Sequence, residues 1–135
     1  MLPRTLEELV ENFALLGDWE ERYRYLIELG RDLEPLSDTL KTPETFVQGC
    51  TSQVWMAADK GADGRWHFVA DSDAHIVRGL IAVLLTAYQD KTGAEIANVN
   101  IEERFSEIGL DEHLSPNRRN GFFAMVERIK ALSSS

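Results

Sequence analysis

Apolar residues recur at helical spacing near the start of the chain, as Leu6, Leu9, Val10, Phe13 and Leu16. Thr5 stands before them with Glu8 three positions on, a capping-box spacing, so the pattern predicts an amphipathic helix that stops at Gly17. Asp18 with Glu21 repeats the signal, and Trp19, Tyr23, Leu26 and Ile27 form the expected buried stripe of a second helix ending near Gly30. Residues 31–45 hold Pro35 and Pro43 among Ser, Asp and Thr, which predicts an irregular connection.

The period then shortens to two. From Ser52 to Ala58 a strand is expected, with Gln53, Trp55 and Ala57 on one face and Val54, Met56 and Ala58 on the other. Residues 59–64 are a turn by their Gly and Asp content, after which Trp66, Phe68 and Ala70 alternate with Arg65, His67, Val69 and Asp71. The reading is a β-hairpin, extended by residues near Phe46 as a third strand. An isolated hairpin is marginal in water, so the sheet must pack on helices.

Asp71, Ser72 or Asp73 can cap the next helix, whose Ile76, Val77, Leu80, Ile81, Val83, Leu84, Leu85 and Tyr88 make it apolar round most of its circumference. It is the expected central helix, and Gly79 in its interior predicts a close contact with the sheet. After Lys91-Thr92-Gly93, Asn100 with Glu103 starts another helix that buries Ile101, Phe105 and Ile108 and closes at Gly109. Ser115-Pro116 is a cap followed by proline, and Phe122, Met125, Val126, Ile129 and Leu132 form the stripe of a last helix before a fraying tail from Ser133 to Ser135. The fold class is α+β, a small antiparallel sheet of about three strands packed against a helical layer. With 135 residues, 44% of them hydrophobic, residues 1–135 form a single domain.

Charge and cysteine usage narrow the function classes. A formal net charge of −9 repels nucleic acid and anionic membranes, so neither is an expected partner. The longest apolar stretch, within 76–88, is interrupted by Arg78 and is too short to span a bilayer. Cys50 is the single cysteine and cannot form an internal disulfide, and residues 1–17 carry Glu7, Glu8 and Glu11 in place of a charged-then-apolar leader, so a reducing, cytoplasmic setting is expected. One cysteine also rules out an intrachain dithiol cycle and a cluster held by cysteines alone. C-x-x-C, H-x-H and H-E-x-x-H are absent, as are G-x-G-x-x-G and the P-loop, so metal and nucleotide sites lack sequence support.

The chemistry centres on Phe46-Val47-Gln48-Gly49-Cys50-Thr51-Ser52-Gln53-Val54-Trp55. A lone cysteine is most often a small buried hydrophobe. Here Gln48, Thr51, Ser52 and Gln53 surround it with polarity, and Gly49 permits a turn on which the sulfur can reach a partner. His67, His75 or His113 could activate the thiol as a general base, although no spacing singles one out. That leaves a Cys/His-dependent hydrolase or transferase as one alternative, and a structural adaptor with an inert Cys50 as another. Arg118 and Arg119 occupy the first turn of the last helix, where the macrodipole disfavours cations by a few tenths to about 1 kcal/mol each. Either they pair with some of the 23 acidic residues, or Arg118 faces an acidic or carbonyl-rich partner.

Three blocks in order carry a family resemblance: Gly49-Cys50-Thr51-Ser52-Gln53-Val54-Trp55; Asp71-Ser72-Asp73-Ala74 with Ile76-Val77-Arg78-Gly79-Leu80; and His113-Leu114-Ser115-Pro116-Asn117-Arg118 with Gly121. Together they resemble the SufE family of sulfur-acceptor proteins over nearly the whole chain, with Thr51 departing from the more usual Gln. The resemblance implies a SufE/IscU-like fold and a sulfur carrier for iron–sulfur cluster assembly. Cys50 would take sulfane sulfur from the persulfide of a SufS-type cysteine desulfurase, stimulate that enzyme, and pass the sulfur to a scaffold of the SufBCD type. The pyridoxal phosphate would belong to the desulfurase, and this chain would need no cofactor of its own. Gly49, Gln53, Asp73 and Arg118 are the positions implied to support the cysteine loop or a docking partner, with Asp71 and Asp73 also explicable as helix caps. The close relative CsdE serves a different desulfurase, and Ser52-Gln53 after the cysteine favours the SufE type. The Cys50 sulfur is expected to tuck against apolar neighbours and to swing outward on docking, with the partner completing an electropositive environment.

Overall fold

The computed structural model describes Pro3, residues 5–50 and residues 52–134. Helix α1 (Leu6–Ala14) and helix α2 (Trp19–Arg31) are each capped as their sequences direct: Thr5 accepts from the Glu8 amide and Asp18 from the Glu21 amide. On α2 the deepest positions are Leu26, Leu29 and Gly30, whereas Trp19, Tyr23 and Ile27 are only half-buried, so the stripe lies further round the helix than the aromatic spacing indicates. The connection that follows contains one short 3-10 turn, Asp38–Leu40.

Strands β1 (Val54–Lys60) and β2 (Arg65–Ser72) pair antiparallel from Val54 opposite Ser72 to Lys60 opposite Trp66. Val54 and Met56 of β1 and Trp66, Phe68 and Ala70 of β2 enter the core from one sheet face, as the alternation requires. The third strand differs from the expectation. It is β3 (Lys91–Thr92), which pairs with β2 opposite Arg65 and Trp66, giving the order β1-β2-β3. Phe46 makes only an isolated bridge to Trp55 on the free edge of β1. Where β3 ends, the Gln89 side-chain amide takes over: it accepts from the Phe68 amide at 2.6 Å and donates to the Phe68 carbonyl at 2.8 Å.

Helix α3 (His75–Tyr88) is the hub, buried at every position except His75 and Arg78. Full burial of a Leu or Ile contributes about 1.5 to 3 kcal/mol, so this helix sets much of the stability. The close approach marked by Gly79 is to α2, not to the sheet. A Cβ on Gly79 would run into the Leu26 backbone, and one on Gly30 would lie 2.8 Å from the Gly79 nitrogen. The two helices therefore cross backbone to backbone at a pair of glycines.

Two short helices lie outside the periodic signals, α4 (Gly93–Ala97), with a full Thr92–Glu95 capping box, and α6 (Leu110–His113). Between them α5 (Ile101–Glu107) buries Ile101 and Phe105, with Ile108 buried beside its end. Helix α7 (Pro116–Leu132) starts at Ser115, whose hydroxyl accepts from the Arg118 amide, and packs Phe122, Met125, Val126 and Ile129 inward. Its end does not fray at Ser133, which is buried and donates to the Ile129 carbonyl at 2.8 Å; Ser135 lies outside the described residues. The molecule is thus an α+β fold with a three-stranded antiparallel sheet on a helical layer.

Candidate functional site

The cysteine turn is the loop of a very short hairpin. The Val47 amide donates to the Val54 carbonyl at 2.9 Å and the Met56 amide to the Thr45 carbonyl at 2.8 Å, which brings residues 45–47 alongside the free edge of β1. The chain reverses direction between Val47 and Val54, and Gly49 enters that turn with φ +92°, a left-handed conformation that a side chain would strain. A Cβ there would also come 3.1 Å from the Ala124 Cβ of α7. Thr51, one of the polar neighbours in the motif, lies outside the described residues.

The turn is fastened on both sides. Toward α3, the Gln53 amide donates to the Asp73 carboxylate at 3.1 Å and the Asp73 amide donates back to the Gln53 carbonyl at 3.4 Å. Toward α7, the Cys50 thiol donates to the Gly121 carbonyl at 3.5 Å, and Arg128 donates to the Glu44 carbonyl just upstream. Lys41 and Arg78 both pair with Asp71, at 3.3 and 3.1 Å, pinning the incoming connection to the end of β2 and to α3.

This arrangement corrects the helix-cap reading. Residue Ala74 occupies the cap position of α3 and contributes no side-chain bond. The reason is that β2 runs on through Ser72, so Asp71 and Ser72 belong to the strand, and Asp73 is turned to the Gln53 amide instead of the helix end. Local bonds remain within the segment, the Asp71 carboxylate accepting from the Ser72 amide at 2.8 Å and the Ser72 hydroxyl from the Ala74 amide at 3.2 Å, but neither caps the helix.

Cys50 is half-buried beside a small cavity whose wall is formed by Val77 and Leu80 of α3 and by Gly121, Phe122 and Met125 of α7, with Ser52, Asn117 and Arg118 at its polar side. Burial pushes the thiol pKa up from its ordinary value, because the cavity solvates a thiolate poorly. The hydrogen bond acts in the same direction, since a thiol can donate to the Gly121 carbonyl and a thiolate cannot. The resting site therefore holds a protonated, sheltered sulfur.

The two arginines at the start of α7 separate. Arg119 is tied to the Asp111 carbonyl, whereas Arg118 is exposed and makes no ion pair among the described residues. The histidines are dispersed: His67 bonds Glu34 at 2.8 Å, His113 stacks on Trp19 with centroids 4.4 Å apart, and His75 is an exposed residue at the start of α3. None of them lines the Cys50 cavity. No group of three or more His, Cys, Asp or Glu side chains converges to hold a metal ion among the described residues, and no helix there is long and apolar enough to cross a membrane.

Residues 7–133 match the SufE family, described as an Fe-S metabolism associated domain. The chain belongs to the SufE family. Two SufE-like relatives are both called uncharacterized. One, from Rhizobium etli, is 47% identical over 129 residues, covering 93% of this chain and 87% of the relative. The other, from Rhizobium meliloti, is 44% identical over 130 residues, covering 94% and 93%. The solution structure of a hypothetical protein from Thermus thermophilus superposes with a TM-score of 0.79 over 99% of this chain and 96% of that one. At 21% identity it shows a shared fold.

In this SufE-family chain, Gly49, Cys50, Gln53, Asp73 and Arg118 all lie in or around the cysteine turn or its cavity. Sequence reading overlooked the cavity wall, Val77, Leu80 and Met125, because those residues read only as core. Gly121, placed mid-helix on an otherwise continuous apolar stripe, was the one available hint.

Proposed function

We propose that this protein accepts and carries sulfur for iron–sulfur cluster assembly. Cys50 receives sulfane sulfur from the persulfide of a pyridoxal-phosphate cysteine desulfurase of the SufS type, stimulates that enzyme, and hands the sulfur to a scaffold of the SufBCD type in the cytoplasm. The observation that carries the reading is the setting of Cys50: a lone thiol in a small cavity with no histidine on the wall, in a chain of an iron–sulfur-associated family. Such a thiol has no general base within its own site and suits a group received from, and returned to, other proteins.

The transfer is a thiol exchange. The Cys50 thiolate attacks the outer sulfur of the donor persulfide, a new Sγ–S bond forms, and the donor S–S bond breaks with its electron pair on the donor cysteine. The Cys50 proton ends on that departing thiolate, so the step needs neither oxidant nor reductant. Because the resting thiol is protonated and bonded to Gly121, the turn must open first, and the docked desulfurase supplies the electropositive surroundings that favour the thiolate. Arg118, exposed at the cavity's polar side without an ion pair among the described residues, is the residue offered to the partner.

The test is the intact mass of the chain after incubation with a SufS-type desulfurase and cysteine. A reducible gain of sulfur on the native chain, absent from Cys50→Ser, is expected. No gain with desulfurases of both the SufS type and the type that CsdE serves, both shown to be active, would overturn the proposal.

A further inference from the structure

Gly30 and Gly79 are accounted for by backbone contact and Gly49 by its positive φ, but Gly121 is explained by neither. It sits inside α7, where glycine is a poorer helix former than alanine. The three heavy atoms nearest to a Cβ there all belong to Cys50: 3.5 Å to Sγ, 3.7 Å to Cβ and 3.8 Å to Cα, all ordinary van der Waals distances. Alanine would therefore pack against the resting thiol and strengthen the helix. The resting protein alone supplies no reason for glycine at 121.

The missing methyl leaves a space beside Sγ. The cavity measures about 10 Å³, room for the centre of one water-sized group, and Val77, Leu80, Phe122 and Met125 make its wall largely apolar. Such a space is unfavourable for a hydrated ion and suits a soft, polarizable atom. We propose that Gly121 keeps this cavity open for the outer sulfur of a Cys50 persulfide, so that the closed turn shelters one carried sulfur and no more. The inference rests on the reading of Cys50 as a sulfur acceptor. Gly121 is then a positioning residue that acts by leaving volume free.

The experiment loads full-length wild type and Gly121→Ala with glutathione persulfide and follows loss of the added sulfur to cyanide by intact mass. Cyanide carbon attacks the outer sulfur, the S–S bond breaks, thiocyanate departs, and the Cys50 thiolate remains. Both unloaded chains should alkylate at Cys50 within about twofold of each other, and Gly121→Ala should unfold at a higher denaturant concentration than wild type. The loaded wild type should lose sulfur at least about tenfold more slowly than loaded Gly121→Ala, because only its pocket admits the outer atom. Equal rates of loss with both chains loaded would overturn the inference and leave the acceptor reading intact. So would a wild type that protects two or more sulfurs equally well, or a Gly121→Ala chain less stable than wild type. A wild type that takes no sulfur from glutathione persulfide or from an active desulfurase would overturn the acceptor reading and this inference with it.

Discussion

The Asp73 carboxylate accepts from the Gln53 amide across twenty residues of sequence, and this bond ties the far end of the cysteine turn to the segment that enters α3. Alanine at 73 removes the acceptor, whereas asparagine keeps one oxygen. Asp73→Ala is expected to lower stability by about 0.5 to 1.5 kcal/mol and to speed alkylation of Cys50 several-fold, with Asp73→Asn between it and wild type. Alkylation at an unchanged rate in Asp73→Ala would show that the bond does not hold the turn closed.

Gly79→Ala makes a sharper demand. A methyl gains helix propensity of about 1 kcal/mol, yet it would be driven into the Leu26 backbone at the α2–α3 crossing. Backbone on both sides leaves little room to yield, so a net loss of at least about 2 kcal/mol in urea unfolding is expected. A variant as stable as wild type would mean that the helices separate at no cost.

Tyr88 is fully buried and its hydroxyl finds no partner among the described residues. Burial, with a smaller contribution from the Glu127 charge, pushes its pKa up to about 12. Since an unmade hydrogen bond costs about 1 to 3 kcal/mol, Tyr88→Phe is expected to be neutral or stabilising by about 1 kcal/mol. In wild type the folded phenol stays protonated after the unfolded one ionises near about pH 10, so stability should fall as pH rises from there toward the folded value. That part of the alkaline decline should be missing from Tyr88→Phe in paired denaturation curves.

The Cys50 thiol follows the same sign. Its folded pKa is raised by burial, so the stability it contributes is present at low pH and lost as pH rises through the folded value. Iodoacetamide labelling of the native chain should show its inflection at higher pH than labelling of the unfolded chain. A native inflection at or below the unfolded one would contradict the sheltered resting state.

Arg118 and Arg119 are neighbours with different expected consequences. Arg118→Ala removes an exposed side chain with no ion pair among the described residues and should change stability by less than about 0.5 kcal/mol, while slowing sulfur uptake from a desulfurase. Arg119→Ala breaks the tie to the Asp111 carbonyl and should cost about 1 kcal/mol. Unfolding curves and uptake rates measured on both variants distinguish the two roles.

Features written in local spacing were legible in the chain: the Thr5 and Asp18 caps, the alternation of Trp66, Phe68 and Ala70, the Ser115-Pro116 start and the apolar circumference of α3. Misreadings arose where a distant partner decides. A two-residue strand such as Lys91–Thr92 has no period to detect, and its pairing with β2 is set by where α3 ends. Asp73 has the composition of a helix cap, but the nearby Gln53 amide takes its carboxylate, and no local pattern announces a partner twenty positions back. The cysteine motif itself was conspicuous. Its cavity was not, because Val77, Leu80 and Met125 look the same whether they face other core residues or a thiol.

The Cys50–Gly121 contact joins residues 71 positions apart. Closing so long a loop is entropically costly, and nothing within the turn itself can substitute for α7. Shelter for the thiol therefore depends on the last helix of the chain: a chain still being made leaves Cys50 without its Gly121 contact until Pro116–Leu132 has emerged and docked. Pulsed alkylation during refolding should find Cys50 open until α7 has docked, which makes this thiol a built-in reporter of when the domain is complete.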